Sequence, residues 1–488
     1  MTPPNSPLSV DALLALIGEL QARNQMLEQQ NALLTVRVAD LERRLGLDSS
    51  NSSKPPSSDG PGQAARRTQS LRERGLKQPG GQPGHPGKHL KRSERVDDTI
   101  MHRPVRCGRC RTALGRELLE LAGSRQVFDL PAPAPLLVTE HQLYRCKCSG
   151  CGAVTTGSFP PEVRAPVQYG VRLAAVVTYL SAGQFQPEDR LGQILTDLFG
   201  VTISAGTIGQ MIARAASRTQ DFAAAVCEQI RRAPVKHLDE TGFWVGATPQ
   251  WLHVAGTAGI NGLVHYRVSP RRGAVLTQAA HIVVHDHWTS YFQMSGVTHA
   301  LCNAHHLREL TALVDIDGEA WARRMRGLLR CLCHEVNLEV NLAPEHRADQ
   351  TGALRPNRIR AAERLYDRII RAGIAWHEAL PALPRDIKRG RIRRRTGHNL
   401  LLRLKLHKEA VLLFLHNPAV PFTNNEAERD ARMMKLRQKI SGGFRTSQGA
   451  DNFATLRTLI GTARKRGWDI LETLSRCPTQ LSHKLSVA

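Results

Sequence analysis

The sequence reads as a multidomain chain: an N-terminal coiled-coil helix, a small cysteine-bearing β module, a helical region, and a mixed α/β core carrying a helical insertion. Three observations lead there. A leucine recurs every seventh residue from Leu13 to Leu41, two cysteine pairs stand about forty residues apart, and helical patterning gives way to short strands near residue 235. A chain of 488 residues has room for two or three domains and at least one sizeable core.

The first element spans residues 8–47. Leu13, Leu20, Leu27, Leu34 and Leu41 form a d series, with Ile17, Asn24, Asn31, Val38 and Leu45 at the a positions. Asparagine at a fixes register and favours two strands at a cost in stability. Arg23 with Glu28, and Arg37 with Glu42, fall at g and the following e, where they pair between chains. The segment is expected to be a leucine-zipper-like coiled coil that makes a homodimer.

Residues 48–102 are rich in Ser, Pro, Gly and basic residues and cannot bury a core, so a basic flexible linker is expected. From Lys54 to Arg111 there are 14 Lys or Arg against 5 acids, a run suited to tracking phosphates.

Residues 103–159 hold Cys107 and Cys110, then Cys146, Cys148 and Cys151, around a stretch that reads as strands and turns. Two C-x-x-C pairs flanking a small β element suit a structural zinc ion closed by four thiolates, Cys107, Cys110, Cys148 and Cys151. On spacing alone Cys146 serves as well as Cys148.

Residues 164–232 read as helical. Within them, residues 190–215 have the pattern helix, tight turn, helix, with Gly200 at the turn and Ser204 as N-cap of the second helix. A helix-turn-helix offering Ser204, Thr207 and Gln210 to DNA fits, and so does plain helical packing.

Residues 233–475 form the core. Five short strand-like runs begin at VKHLD, with a helix-like stretch, RRGAVLTQAA, before the fourth. Three strands, a helix and two more strands is the order of an α/β ribonuclease-H-like core. A basic helical insertion follows at about 319–412. Between Arg385 and Lys408 it has ten Lys or Arg and one acid, and Arg391, Arg393, Arg394 and Arg395 are candidate DNA contacts.

The chemistry rests on acids. Asp239 and Asp286 end two strands expected to be central and parallel, so their carboxylates would lie side by side. A helix after Thr423 offers Glu426 or Glu428 as a third, although a capping box with Thr423 or Asn425 would use these acids structurally. Three converging carboxylates repel unless cations lie between them, and two magnesium (or manganese) ions suit phosphodiester chemistry. Charge points the same way. The formal net charge is +24 and the pI near 10.3, which favours a polyanionic partner. The N-terminus lacks a basic stretch followed by an apolar run, and Leu173–Leu180 is too short to span a bilayer. A cytoplasmic, nucleoid-associated protein with no membrane partner is expected.

At this point the sequence resembles the bacterial insertion-sequence transposases of the IS-sixty-six type. The resemblance is carried by the zipper-like N-terminus, SSNSSKPPSSD, the G-G-Q-x-G-H-x-G segment and the cysteine pairs. It continues through Asp239-Glu240-Thr241, Asp286 with Tyr291, Cys302-Asn303-Ala304-His305, and Asn424-Asn425-Glu426-Ala427-Glu428-Arg429. It implies a DDE triad of Asp239, Asp286 and Glu428, because the family pattern sets Glu-Arg two residues after Asn-Asn. It also implies that His305 lies near the active site and orients phosphate or a metal-bound water. The chain departs from the pattern at His287, where the family commonly has Gly, and at Asn303, where it favours an aromatic residue.

The function expected is a DNA transposase. It would bind the terminal inverted repeats as a dimer, cut at the element's ends, and use the freed 3′-hydroxyl to attack target DNA. Helper proteins of the same element are plausible partners by the resemblance. Two other readings are a transposase-derived DNA-binding protein without activity and a plain metal-dependent nuclease. Intact acids argue against the first, and paired end-binding modules against the second.

Overall fold

The computed structural model describes residues 9–48, 51–52, 92–114, 121–129, 136–259, 261–273, 279–340, 353–383 and 394–487. Most of the expected linker, including the G-G-Q-x-G-H-x-G segment, lies outside these residues, as do Arg391 and Arg393.

Helix α1 (Val10–Leu45) is capped by Ser9, whose hydroxyl accepts from Ala12 N at 3.2 Å. None of its residues is buried, and Leu13, Leu20, Leu27, Leu34 and Leu41 are all exposed. Its last turn is anchored on the core by Arg43, 3.1 Å from Asp317. The β module contains one antiparallel pair, β1 (Arg145–Lys147) and β2 (Val154–Thr156), in which Cys146 faces Thr155.

The helical region comprises α2 (Val171–Thr178), a π-turn (Tyr179–Gly183), α3 (Glu188–Phe199) and α4 (Ala205–Arg232). Gly200 ends α3 with φ 64°, a left-handed conformation that glycine adopts without Cβ strain. Ser204 caps α4, its hydroxyl accepting from Thr207 N at 3.2 Å. Leu191, Leu195, Val201, Ile203, Ile208 and Met211 pack the two helices against each other. Farther along, Phe222, Val226 and Ile230 of α4 join the core of the sheet, so this helix covers a sheet face rather than standing apart.

The sheet contains β3 (Val235–Val245), β4 (Thr248–Gly256), β5 (Val264–Ser269), β6 (His281–His285) and β7 (Val297–Leu301), in the order β5-β4-β3-β6-β7. The first three pair antiparallel, while β3–β6 and β6–β7 pair parallel. The helix-like stretch expected before β6 is only partly described: Arg271–Gly273 form a turn, and 274–278 lie outside the described residues. After β7 come α5 (Asn303–Asp315), α6 (Ala320–Val340), α7 (Pro356–Ala379), α8 (Thr396–Leu406) and α9 (Lys408–His416). Leu329, Leu332, Leu400, Leu401 and Leu404 are fully buried and join these helices to β6 and β7 in one core. The chain ends with α10 (Asn425–Ser441), α11 (Ser447–Lys465), α12 (Ile470–Ser475) and α13 (Pro478–Val487).

Strand β5 is an edge, and α11 closes it. Thr462 Oγ1 accepts from Val264 N at 3.3 Å and donates to Val264 O at 3.2 Å, while Thr458 Oγ1 accepts from Tyr266 N at 3.1 Å. Edge N–H and C=O groups that would otherwise face solvent are thereby satisfied in a buried place. Thr462→Val keeps the shape but orphans both backbone groups. It is expected to cost about 1–3 kcal/mol in a urea unfolding titration. An unchanged midpoint would show that the threonine contributes nothing there.

Candidate active site

Strand β3 runs parallel to β6 with His237 opposite Val284. Two residues farther along stand Asp239, which lies within β3 and not at its end as the sequence suggests, and Asp286, directly after β6, so the register sets the two at one level. Successive strand residues point to opposite faces, which separates Asp239 from Glu240. Glu240 is fully engaged: Tyr291 OH donates to one carboxylate oxygen and Arg272 Nε to the other at 3.0 Å. Arg272 is itself stacked on Trp288, 3.5 Å from the ring centre, and on Trp251 at 4.9 Å. Glu240 is thus a structural acid, whereas Asp239 accepts, among the described residues, only the N–H of Glu240, at 2.9 Å.

Helix α10 delivers the third acid. Its N-cap, Asn424, makes no side-chain cap, and neither Thr423 nor Asn425 forms the alternative capping box. Asn424 instead ties the helix to β3, donating through Nδ2 to Leu238 O at 2.7 Å and meeting His237 Nδ1 at 3.0 Å. Glu428 then faces Cys302, at the end of β7, and His305 in the first turn of α5. Glu426, roughly 200° around the helix, faces away and pairs with Lys465 at 3.2 Å and Arg429 at 2.7 Å. Burial works to raise the Glu426 carboxyl, but Lys465 and Arg429 together hold it below its ordinary value. Asp239 shows the opposite. Burial, and then the negative charges of Glu240, Glu428 and Asp286, hold it well above the usual carboxylate range.

Glu428 sits among donors. Its Oε1 lies 3.5 Å from Cys302 Sγ and 3.7 Å from His305 Nδ1; its Oε2 lies 3.8 Å from Arg308 and 3.7 Å from Arg432. Among the described residues one group of donors lies within 4.8 Å of one another, Cys302, His305 and Glu428; the three carboxylates do not form such a group. The fit of a divalent cation to the carboxylates therefore rests on charge: Asp239 is buried beside Glu240, Glu428 and Asp286, and a cation would relieve that crowding of acids.

The two departures from the family pattern have structural roles. His287 packs its ring against His306, His407 and Phe292, linking β6 to the inserted helices. Asn303 is buried, donates to Val411 O at 3.0 Å and meets His306 Nδ1 at 3.0 Å.

The cysteine pairs form two matching turns. Cys107 N donates to Thr112 O at 2.9 Å and Arg111 N to Cys107 O at 3.0 Å, with Arg111 at φ 58°. Likewise Cys148 N donates to Ala153 O at 2.8 Å and Gly152 N to Cys148 O at 2.9 Å, with Gly152 at φ 75°. In each, both cysteines of the pair lie on one turn. Cys146 lies outside this pattern, on β1. The two pairs are not at ligand distance of each other among the described residues.

The candidate DNA contacts fare unevenly. Ser204 and Gln210 are exposed on α4, while Thr207 is half-buried with its hydroxyl 2.9 Å from Ser204 Oγ. Arg394 is exposed and Arg395 donates to Pro381 O at 3.0 Å. Arg403 and Lys408, from the same basic stretch, are engaged with Glu309 and Asp367.

Asp239 within β3 and Asp286 directly after β6, with Arg308 and Arg432 beside Glu428, belong to an α/β protein whose formal net charge of +24 favours a polyanionic partner. The family model "Transposase IS66 family" matches residues 166–452, more than half of the chain, and the chain belongs to that family. Membership makes it a transposase, an enzyme type that cuts and transfers DNA. A second model, described as a family of unknown function (DUF6444), matches residues 2–91. No curated protein matches the chain. No helix among the described residues is long and apolar enough to cross a membrane.

Proposed function

We propose that the chain binds the terminal inverted repeats of its element as a dimer. It then cuts and joins DNA strands at a DDE site, Asp239, Asp286 and Glu428, in a ribonuclease-H-like core. The observation that carries this is the register of parallel β3 and β6, which sets Asp239 and Asp286 at one level, with burial and then the charges of Glu240, Glu428 and Asp286 holding Asp239 high. The strand order, with antiparallel β3-β4-β5 and parallel β3-β6-β7, supports the ribonuclease-H-like reading.

Asp239, Asp286 and Glu428 would hold two magnesium or manganese ions. Bound there, the ions activate the attacking hydroxyl and stabilise the leaving oxygen. Asn424 positions Glu428 by fixing the start of α10 to β3. Arg308 and Arg432 are placed to receive a phosphate, and His305 to orient it. Ser204 and Gln210 on α4, with Arg394 and its neighbours, serve DNA binding, and this binding should weaken steeply with salt. The two cysteine turns support a structural zinc ion held by Cys107, Cys110, Cys148 and Cys151, which would draw the turns together. A labelled duplex bearing the element's terminus tests the whole reading. Magnesium-dependent cuts at the end, and not in a scrambled duplex, are expected; uncut terminal DNA would sink it.

The exposed leucines of α1 support parallel dimerisation. A fragment of residues 1–47 should sediment as a dimer, and Asn24→Leu with Asn31→Leu should raise its melting temperature while loosening the choice of oligomer. A monomer at high concentration would refute the zipper.

A further inference from the structure

Cys302, His305 and Glu428 have a geometry that magnesium chemistry does not use. Cys302 is the N-cap of α5 and is almost wholly buried. Its sulfur accepts the N–H of Asn424 at 3.1 Å. A sulfur at a helix N-terminus that accepts a backbone N–H is suited to a thiolate. Burial and the charge of Glu428 work against one, and push the thiol up to about 12. His305 Nδ1 is buried and has no hydrogen-bond partner. One carboxylate oxygen, one imidazole nitrogen and one sulfur thus lie within 4.8 Å of one another, on the end of β7, the first turn of α5 and the first turn of α10.

The spacing matches a particular coordination. With zinc–sulfur near 2.3 Å and zinc–nitrogen and zinc–oxygen near 2.0 Å, ligands at a tetrahedral angle stand roughly 3.5 Å apart for sulfur–oxygen and roughly 3.3 Å for nitrogen–oxygen. The sulfur–oxygen separation is 3.5 Å and the nitrogen–oxygen separation 3.7 Å. Hard cations prefer all-oxygen ligands, whereas a mixed S, N, O set selects a thiophilic ion.

We propose that Cys302, His305 and Glu428 form a second cation site, specific for a thiophilic divalent ion such as zinc, which shares Glu428 with the carboxylate cluster. Binding displaces the Cys302 proton to solvent and leaves the fourth coordination position to water. An ion held there withdraws Glu428 from Asp239 and Asp286, so zinc opposes magnesium-dependent cleavage. Binding itself does not depend on the DDE reading; the inhibitory consequence does.

The test uses the full chain and cobalt(II), whose thiolate bonds give a near-ultraviolet charge-transfer band. Protein retaining its structural zinc is titrated with cobalt in the absence of magnesium. The parent should take up one cobalt per chain with a thiolate band. Cys302→Ser should lose the band and the ion. His305→Asn, at a less buried position, should weaken uptake at least tenfold and guards against misfolding of the first variant. In the cleavage assay zinc should inhibit the parent at least tenfold more strongly than Cys302→Ser. Equal cobalt uptake and spectra in parent and both variants would overturn the site, whatever the cleavage result. Cobalt binding as expected in a chain that does not cut would leave the site standing and remove the DDE reading alone.

Discussion

Asp239→Asn, Asp286→Asn and Glu428→Gln should each abolish cleavage of the terminal duplex and leave DNA binding intact. Each change removes one negative ligand while nearly preserving shape. Losing cation neutralisation of the developing phosphorane charge should cost at least about 3–4 kcal/mol, on the order of a hundred-fold to a thousand-fold in rate. Binding should survive because it rests on Lys and Arg elsewhere. The structure adds a second readout. Asp239 is held above its ordinary value, so the folded chain binds this proton more readily than the unfolded chain. Folding stability therefore falls as pH rises from the ordinary carboxyl range through the raised value, and the deficit is fully present at higher pH. Asp239→Asn removes that deficit and should melt higher than the parent at neutral pH while being inactive. Glu426→Gln is the control: it breaks only the pairs with Lys465 and Arg429 and should still cut. Cleavage by all three triad variants at the parent rate would end the DDE reading.

Chelating zinc from the full chain should unfold the segment around residues 100–160, because structural zinc sites of this kind contribute about 10–16 kcal/mol of binding to folding. Cys107→Ser and Cys148→Ser should release the ion in metal analysis, whereas Cys146→Ser should retain it. Cys148 opens a turn that matches the Cys107 turn bond for bond, while Cys146 is paired with Thr155 on a strand. Protease should then cut the segment and spare the sheet, whose core does not include it. A zinc-free chain purified without chelator, or loss of zinc on Cys146→Ser with retention on Cys148→Ser, would overturn the ligand set.

Much of the site could be read from residue order. Asp239 and Asp286 each follow a short apolar run, which reads as a strand end; Asp286 does stand directly after β6, but β3 continues past Asp239 to Val245 because its antiparallel pairing with β4 extends it. Glu428 was separable from Glu426 only through the family pattern. In the fold the two differ in their partners: Lys465, thirty-nine residues downstream, claims Glu426, whereas Glu428 lies beside Cys302 and His305. Cys302 stands in the Cys302-Asn303-Ala304-His305 run, whose sequence alone assigns the cysteine no role. Its i, i+3 spacing to His305 at a strand end was the available signal, and it became legible once Glu428, 126 residues away, was seen 3.5 Å from the sulfur.

Periodicity and composition sufficed for what depends on neighbours in sequence. The helix α1, the Gly200 turn with its Ser204 cap, the cysteine turns and the place of Asp286 directly after β6 all follow from local backbone geometry and side-chain spacing. Contacts between distant segments were not legible in this way. That α4 lies on the sheet, that Thr458 and Thr462 close the edge of β5, and that His287 and Asn303 lock the inserted helices to β6 and α5 all depend on docking. An apolar stripe records that a face is buried, but not against what. A buried hydroxyl or imidazole shows its role only when the backbone group or ring it meets has been brought within hydrogen-bonding or packing distance.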